Sequence, residues 1–190
     1  SDVDGTIDNE FVGISSWVAT SADGTTIPLT LSVDQRVLLQ LRTVVAVDIK
    51  PGSCPNPLNV KSKGVLPAAI MGTENFDVTQ VDPDTLQLRL KGTEEPLVPP
   101  LRWALTDVGE PFEPFIGKEN CFEDCLDCSC PDGYLDLVFH FDAQVVAEAL
   151  GEVNDEDCLV LEIIGNLKEE FGGTPIVGED VVRILKKGKQ

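Results

Sequence analysis

Six cysteines constrain this chain more than any other feature, because four of them crowd into one short stretch. Cys121, Cys125, Cys128 and Cys130 lie within ten residues, while Cys54 and Cys158 stand far off on either side. The spacing is C-x3-C-x2-C-x-C. Structural zinc sites use two separated cysteine pairs, which this run does not provide. The even count suits disulfides instead, and disulfides belong to oxidising compartments. The expectation is therefore that the crowded loop is tied to Cys54 and Cys158, with the connectivity left open.

The chain has 190 residues, of which 42% are hydrophobic. That is enough to bury a sizeable core. Its formal charge is −19, from 33 acidic and 14 basic residues. Phosphate binding needs a basic footprint, so nucleic acid is not an expected partner. No apolar run approaches the length of a membrane span. No leader-like stretch opens the sequence, so an exported chain would begin at Ser1 after processing. Arg183, Lys186, Lys187 and Lys189 cluster near the end. A basic tail on an acidic body suits docking onto another copy.

The hydrophobic pattern is mostly of period two. Leu86, Leu88 and Leu90 alternate with polar residues, and Leu159, Leu161 and Ile163 form another such face. Leu135, Leu137, Phe139 and Phe141 form a third such face. Further strand candidates are 11–20, 25–33, 37–50, 65–71 and 181–185. Asp23-Gly24 between two of them predicts a hairpin. Asp142 is a good cap for one helix over 143–150, with Gly151 to end it. Residues 94–119, rich in Pro and Gly, read as a long connection packed down by Trp103, Phe112 and Phe115. The fold class is all-β, a β-sandwich, immunoglobulin-like or jelly-roll-like, with one short helix. Residues 1–46 read as N-terminal strands or an extension that pairs with another copy, and 47–190 as the sandwich domain.

The clearest chemical motif is Asp132-Gly133-Tyr134-Leu135-Asp136. Calcium loops of the EF-hand type place a glycine at the sixth position and oxygen ligands around it. Setting Gly133 there makes Asp132, the Tyr134 carbonyl and Asp136 ligands. Two further ligand positions then fall on Cys128 and Cys130, and hard calcium takes thiols poorly. Glu123, Asp124 and Asp127 are close enough in sequence to supply oxygens. A disulfide through Cys128 and Cys130 is the other way to hold such a loop. The same form recurs at Asp4-Gly5-Thr6-Ile7-Asp8, where Asp2, Asp4 and Asp8 are the candidate ligands. Calcium is thus the cofactor to expect, with two half-sites. No nucleophile elbow, P-loop or dinucleotide fingerprint occurs, and the one histidine, His140, lies in a strand pattern. The chain reads as non-enzymatic.

From Val47 onward the chain resembles an uncharacterised domain of secreted bacterial and archaeal surface proteins. The resemblance is carried by Val47-Asp48-Ile49-Lys50-Pro51-Gly52-Ser53, by Pro55-Asn56, Asn59, Ser62-Lys63-Gly64 and Pro67-Ala68-Ala69-Ile70. It continues through Phe76-Asp77-Val78, Val81-Asp82-Pro83, the Asp132–Leu137 segment, Gly173-Thr174-Pro175 and Val182-Arg183-Ile184. It implies an extracellular or cell-surface module with a calcium-type Asp-Gly loop. Together these features lead us to expect a secreted structural module that self-assembles into a filament, sheath or layer. The alternative is a module binding carbohydrate or another ligand, with Trp17, Trp103 or Tyr134 as its aromatic platform.

Overall fold

The computed structural model describes residues 17–20, 26–29 and 42–186. The chain divides into two units, residues 1–40 and 41–190. In the first unit, β1 (Trp17–Thr20) and β2 (Thr26–Leu29) pair antiparallel, Trp17 opposite Leu29 and Thr20 opposite Thr26. These are the arms of the hairpin expected around Asp23-Gly24. The turn itself lies outside the described residues, as do Asp2, Asp4 and Asp8, the side chain of Trp17, and Lys187 and Lys189.

The second unit is a β-sandwich with one short helix, as the sequence pattern implied. One sheet is built on β7 (Val81–Leu90), β10 (Cys158–Leu167) and β11 (Pro175–Leu185), joined by antiparallel ladders. Two short strands, β3 (Thr43–Val44) and β5 (Pro57–Asn59), run parallel to β11 at different heights. The other sheet has the order β4 (Val47–Ile49), β6 (Val65–Ile70), β9 (Asp136–Asp142), β8 (Arg102–Thr106), all antiparallel. The second unit begins at Leu41, and β3 belongs to it through its pairing with β11.

Alternation builds the core. Leu86 and Leu88, Leu161 and Ile163, and Ile176, Val182 and Ile184 come from the first sheet. They meet Val47, Ile49, Leu66, Ile70, Leu137, Phe139 and Phe141 of the second. Each such side chain removed from water contributes roughly 1.5–3 kcal/mol. Leu135 fails to join this face, because β9 starts one residue later and leaves it exposed. The helix α1 (Ala143–Leu150) begins at the expected place. The Asp142 carboxylate accepts from the N–H groups of Gln144 and Val145, and Gly151 ends the helix with φ 67°. Val146 and Leu150 turn its apolar side into the core.

The stretch 94–119 departs from expectation, since it contains strand β8 as well as loop. The Pro99-Pro100 pair before it disguised an alternation of Leu101, Trp103 and Leu105 with Arg102, Ala104 and Thr106. Trp103 is not a loop anchor. It pairs with the buried Phe139 yet stays 49% exposed, because it lies on the outermost strand of its sheet. Phe115 does pack inward, against Ala46, Ala69 and Met71.

Candidate functional site

Between the end of β8 and the start of β9 the chain runs from Asp107 to Leu135 without helix or strand. A loop this long inside a compact domain calls for special fastening, and this strap has several fastenings. Cys54–Cys125 and Cys121–Cys158 tie it to the sandwich. Cys128–Cys130 closes on itself. The crowded cysteines therefore do reach out to Cys54 and Cys158. The remaining pair, Cys128 and Cys130, joins across a single intervening residue in a segment without helix or strand, with Cα atoms 5.3 Å apart.

Carboxylates fasten the strap as well. Asp136, fully buried, accepts from Gly72 N at 2.9 Å with Oδ1 and from Val108 N at 2.7 Å with Oδ2. Burial pushes its pKa up, and the N–H donors oppose that. Asp107 accepts from Asp132 N at 3.3 Å and Gly133 N at 2.9 Å, drawing the two ends of the strap together. Asp132 accepts from Tyr134 N at 2.9 Å. Asp124 accepts from Glu119 N and Asn120 N, both at 2.7 Å, and these bonds hold its pKa down. The strap lies so close to the Pro51-Gly52 turn that a Cβ on Gly52 would come within 2.0 Å of Ser129 Oγ. Gly52 also has φ 80°, so two independent constraints ask for glycine there.

The predicted ligand residues thus share one strap but serve separate roles. Asp136 caps backbone inside the fold, Asp124 and Asp132 stabilise turns, and Asp127 and Tyr134 are exposed. Among the described residues, no group of three or more His, Cys, Asp or Glu is placed to hold a metal ion.

A second cluster lies beneath the strap, and sequence reasoning did not single it out. β3 and β5 pair with β11 below and above, leaving residues 178–182 of that edge without a strand partner. Polar side chains fill the gap. Asp180 Oδ2 accepts from Ile49 N at 2.7 Å and from Asn56 Nδ2 at 3.0 Å. Asn56 Nδ2 also donates to Val181 O at 3.0 Å, while its buried Oδ1 has no hydrogen-bond partner. Lys118, from the strap, is only 1% exposed, as is Asp180. Its Nζ lies 3.0 Å from Asp180 Oδ1, 3.4 Å from Val47 O and 5.5 Å from the centre of the Phe112 ring. Glu179, also buried, accepts from Lys118 N at 2.7 Å, from Gly117 N, and from Lys91 Nζ. A Cβ on Gly178 would sit 2.4 Å from Val45 O, so glycine lets the first sheet approach the β3–β4 segment here.

Burial raises the Asp180 pKa, opposed by Lys118 and by the donors on its oxygens. Burial, joined by the charge of Asp180, pushes Asp48 up to about 7, with Lys118 pulling it down and Asp136 adding to the rise. Two signals in the sequence pointed here. Asp180 interrupts the apolar end of β11, and Lys118 is a cation within a strongly acidic stretch. Neither has a spacing motif, so neither is recognisable without the fold.

No family model, no curated protein and no solved structure matches this chain. No helix among the described residues is long and apolar enough to cross a membrane.

Proposed function

We propose that this chain is a secreted structural module of the cell surface that assembles with other copies of itself into an extracellular filament, sheath or layer. The observation that carries the reading is the edge strand β8. All five of its residues are exposed, no strand among the described residues pairs with its outer side, and Leu101, Trp103 and Leu105 add apolar surface there. Such an edge is a template for strand addition. The two-stranded sheet of the first unit supports the same reading. Among the described residues its strands form only a hairpin, which is at best marginally stable in water, so β1 or β2 gains from a third strand, which β8 of another copy can supply. Three disulfides and a −19 charge agree with export and solubility outside the cell. The resemblance to secreted surface proteins points the same way.

Calcium enters this reading as a ligand of the exposed Asp132–Tyr134 turn or of the acidic N-terminal motif. Electron microscopy and light scattering of the purified protein, with calcium and with chelator, test both parts. Ordered assemblies are the expected result. Particles that remain monomeric at every concentration under both conditions would sink the assembly reading. Assembly indifferent to chelator would remove calcium from it. The exposed Trp103 and Tyr134 also favour a second reading, a carbohydrate-binding module. Quenching of tryptophan fluorescence by oligosaccharides, in a protein that does not assemble, is its signature.

A further inference from the structure

We propose that Lys118 and Asp180 are joined by an intramolecular amide bond between Nζ and Cγ, formed within the folded protein with release of one water. The buried pair is arranged for reaction as well as for attraction. The nucleophile and the carboxyl group are in hydrogen-bond contact at 3.0 Å, and each side chain is 2% exposed. Holding two reactants together in this way removes much of the entropic barrier to joining them.

The two carboxyl oxygens have different surroundings. Oδ1 faces the amine. Oδ2 is gripped by Ile49 N–H at 2.7 Å and Asn56 Nδ2 at 3.0 Å, the distances of an oxyanion hole. A second acid, Asp48, interacts electrostatically with both partners. Phe112 borders the amine.

The step balances without oxidant, reductant or co-reactant. The ammonium first gives one proton to Oδ1, leaving an amine and a carboxylic acid. The amine lone pair adds to Cγ, and the Cγ–Oδ2 π electrons move onto Oδ2, where the two N–H donors meet the developing charge. A second nitrogen proton passes directly to Oδ1, with which Nζ is already in hydrogen-bond contact. The Cγ=Oδ2 bond re-forms, the Cγ–Oδ1 bond breaks, and Oδ1 leaves as water. The third proton stays on the amide nitrogen. A pair of buried charges carries a desolvation cost that a neutral amide does not. The product would tie the strap to β11 across 62 residues of sequence.

The bond is independent of copy-to-copy assembly, and the unmodified protein tests it. The folded chain is reduced, denatured and weighed intact, then digested and sequenced by mass spectrometry. The expected mass is lower than the sequence mass by one water, and digestion yields one branched peptide joining the segments that hold Lys118 and Asp180. Lys118→Met is expected to restore the full mass. Asp180→Asn is expected to lose one ammonia instead of one water, since an amide leaving group replaces the hydroxyl. Full sequence mass in protein whose six cysteines are all paired would overturn the proposal. So would a water deficit that maps to a cyclic imide at Asp132-Gly133.

Discussion

The four-stranded sheet has two edges, and the protein treats them in opposite ways. At the β4 edge, Asp180 accepts from Ile49 N and the Lys118 amine donates to Val47 O, so polar side chains occupy the outer backbone of β4. At the β8 edge, no strand among the described residues pairs with the outer side, and Trp103 and Leu105 lie open. An exposed flat edge is a hazard that proteins blunt with charge, proline or a covering loop. Here the covering loop exists but is committed to the other side. The contrast teaches that β8 is left open in a molecule well able to seal an edge, which is why we read it as an interface.

The strongest way to break the contrast is to open the sealed edge. Cys54–Cys125 and Cys121–Cys158 span 71 and 37 residues. By loop-closure entropy each contributes about 4 kcal/mol, against about 1.5 kcal/mol for a two-residue span such as Cys128–Cys130. Replacing both long-range pairs with serine is expected to remove most of the folding stability, measured by urea unfolding. Replacing Cys128 and Cys130 is expected to cost far less. The next effect in size is Asp180→Ala. Whether the two side chains are joined or only paired in the parent, removing Asp180 strands the buried Lys118 ammonium, at about 3–5 kcal/mol. Retention of wild-type stability would mean that Lys118 finds another partner or reaches water.

Asp48 gives a smaller, pH-dependent effect. Its folded value of about 7 lies above the ordinary 3.8. Between those limits the folded state holds a proton that the unfolded state has lost. Its contribution to stability is therefore greatest at acid pH and declines as pH rises toward 7. The groups acting on it are Asp180, Lys118 and Asp136, but burial is the leading cause, so the trend holds whether or not Lys118 and Asp180 are joined. Asp48→Asn is expected to flatten this decline, by roughly 2–4 kcal/mol between about pH 4 and pH 8. Equal slopes for variant and parent would show that Asp48 titrates near its ordinary value.

The same contrast separates what was legible in the sequence from what was not. Leu86, Leu88, Leu161, Ile163, Leu137, Phe139 and Phe141 announced the core, because strand alternation is a local signal. Asp142 and Gly151 announced the helix for the same reason. β8 was hidden because its strand follows two prolines and its apolar residues stay exposed at the sheet edge. The Asp-Gly loop was read as a ligand site, yet Asp136 satisfies the backbone of Gly72 and Val108, residues that only the fold brings near. The Lys118–Asp180 pair is beyond any local reading. Its members belong to a strap and a strand that meet where β3 and β5 leave a gap.

The last prediction changes folding least and decides most about the open edge. Trp103→Lys and Leu105→Lys place charge on exposed side chains of β8. Exposed positions away from caps and ion pairs usually shift stability by no more than about 0.5 kcal/mol. A lysine on an edge strand, however, disfavours the burial that strand addition requires. Both variants are therefore expected to unfold at nearly the parent urea concentration while failing to assemble in light scattering and electron microscopy. The comparison must be made at more than one salt concentration. A −19 surface repels its own copies, and salt screens that repulsion. If high salt promotes assembly of the parent but not of the lysine variants, the strand edge and not the overall charge controls association. If the variants assemble as the parent does, β8 is an idle edge and the interface lies elsewhere on the molecule.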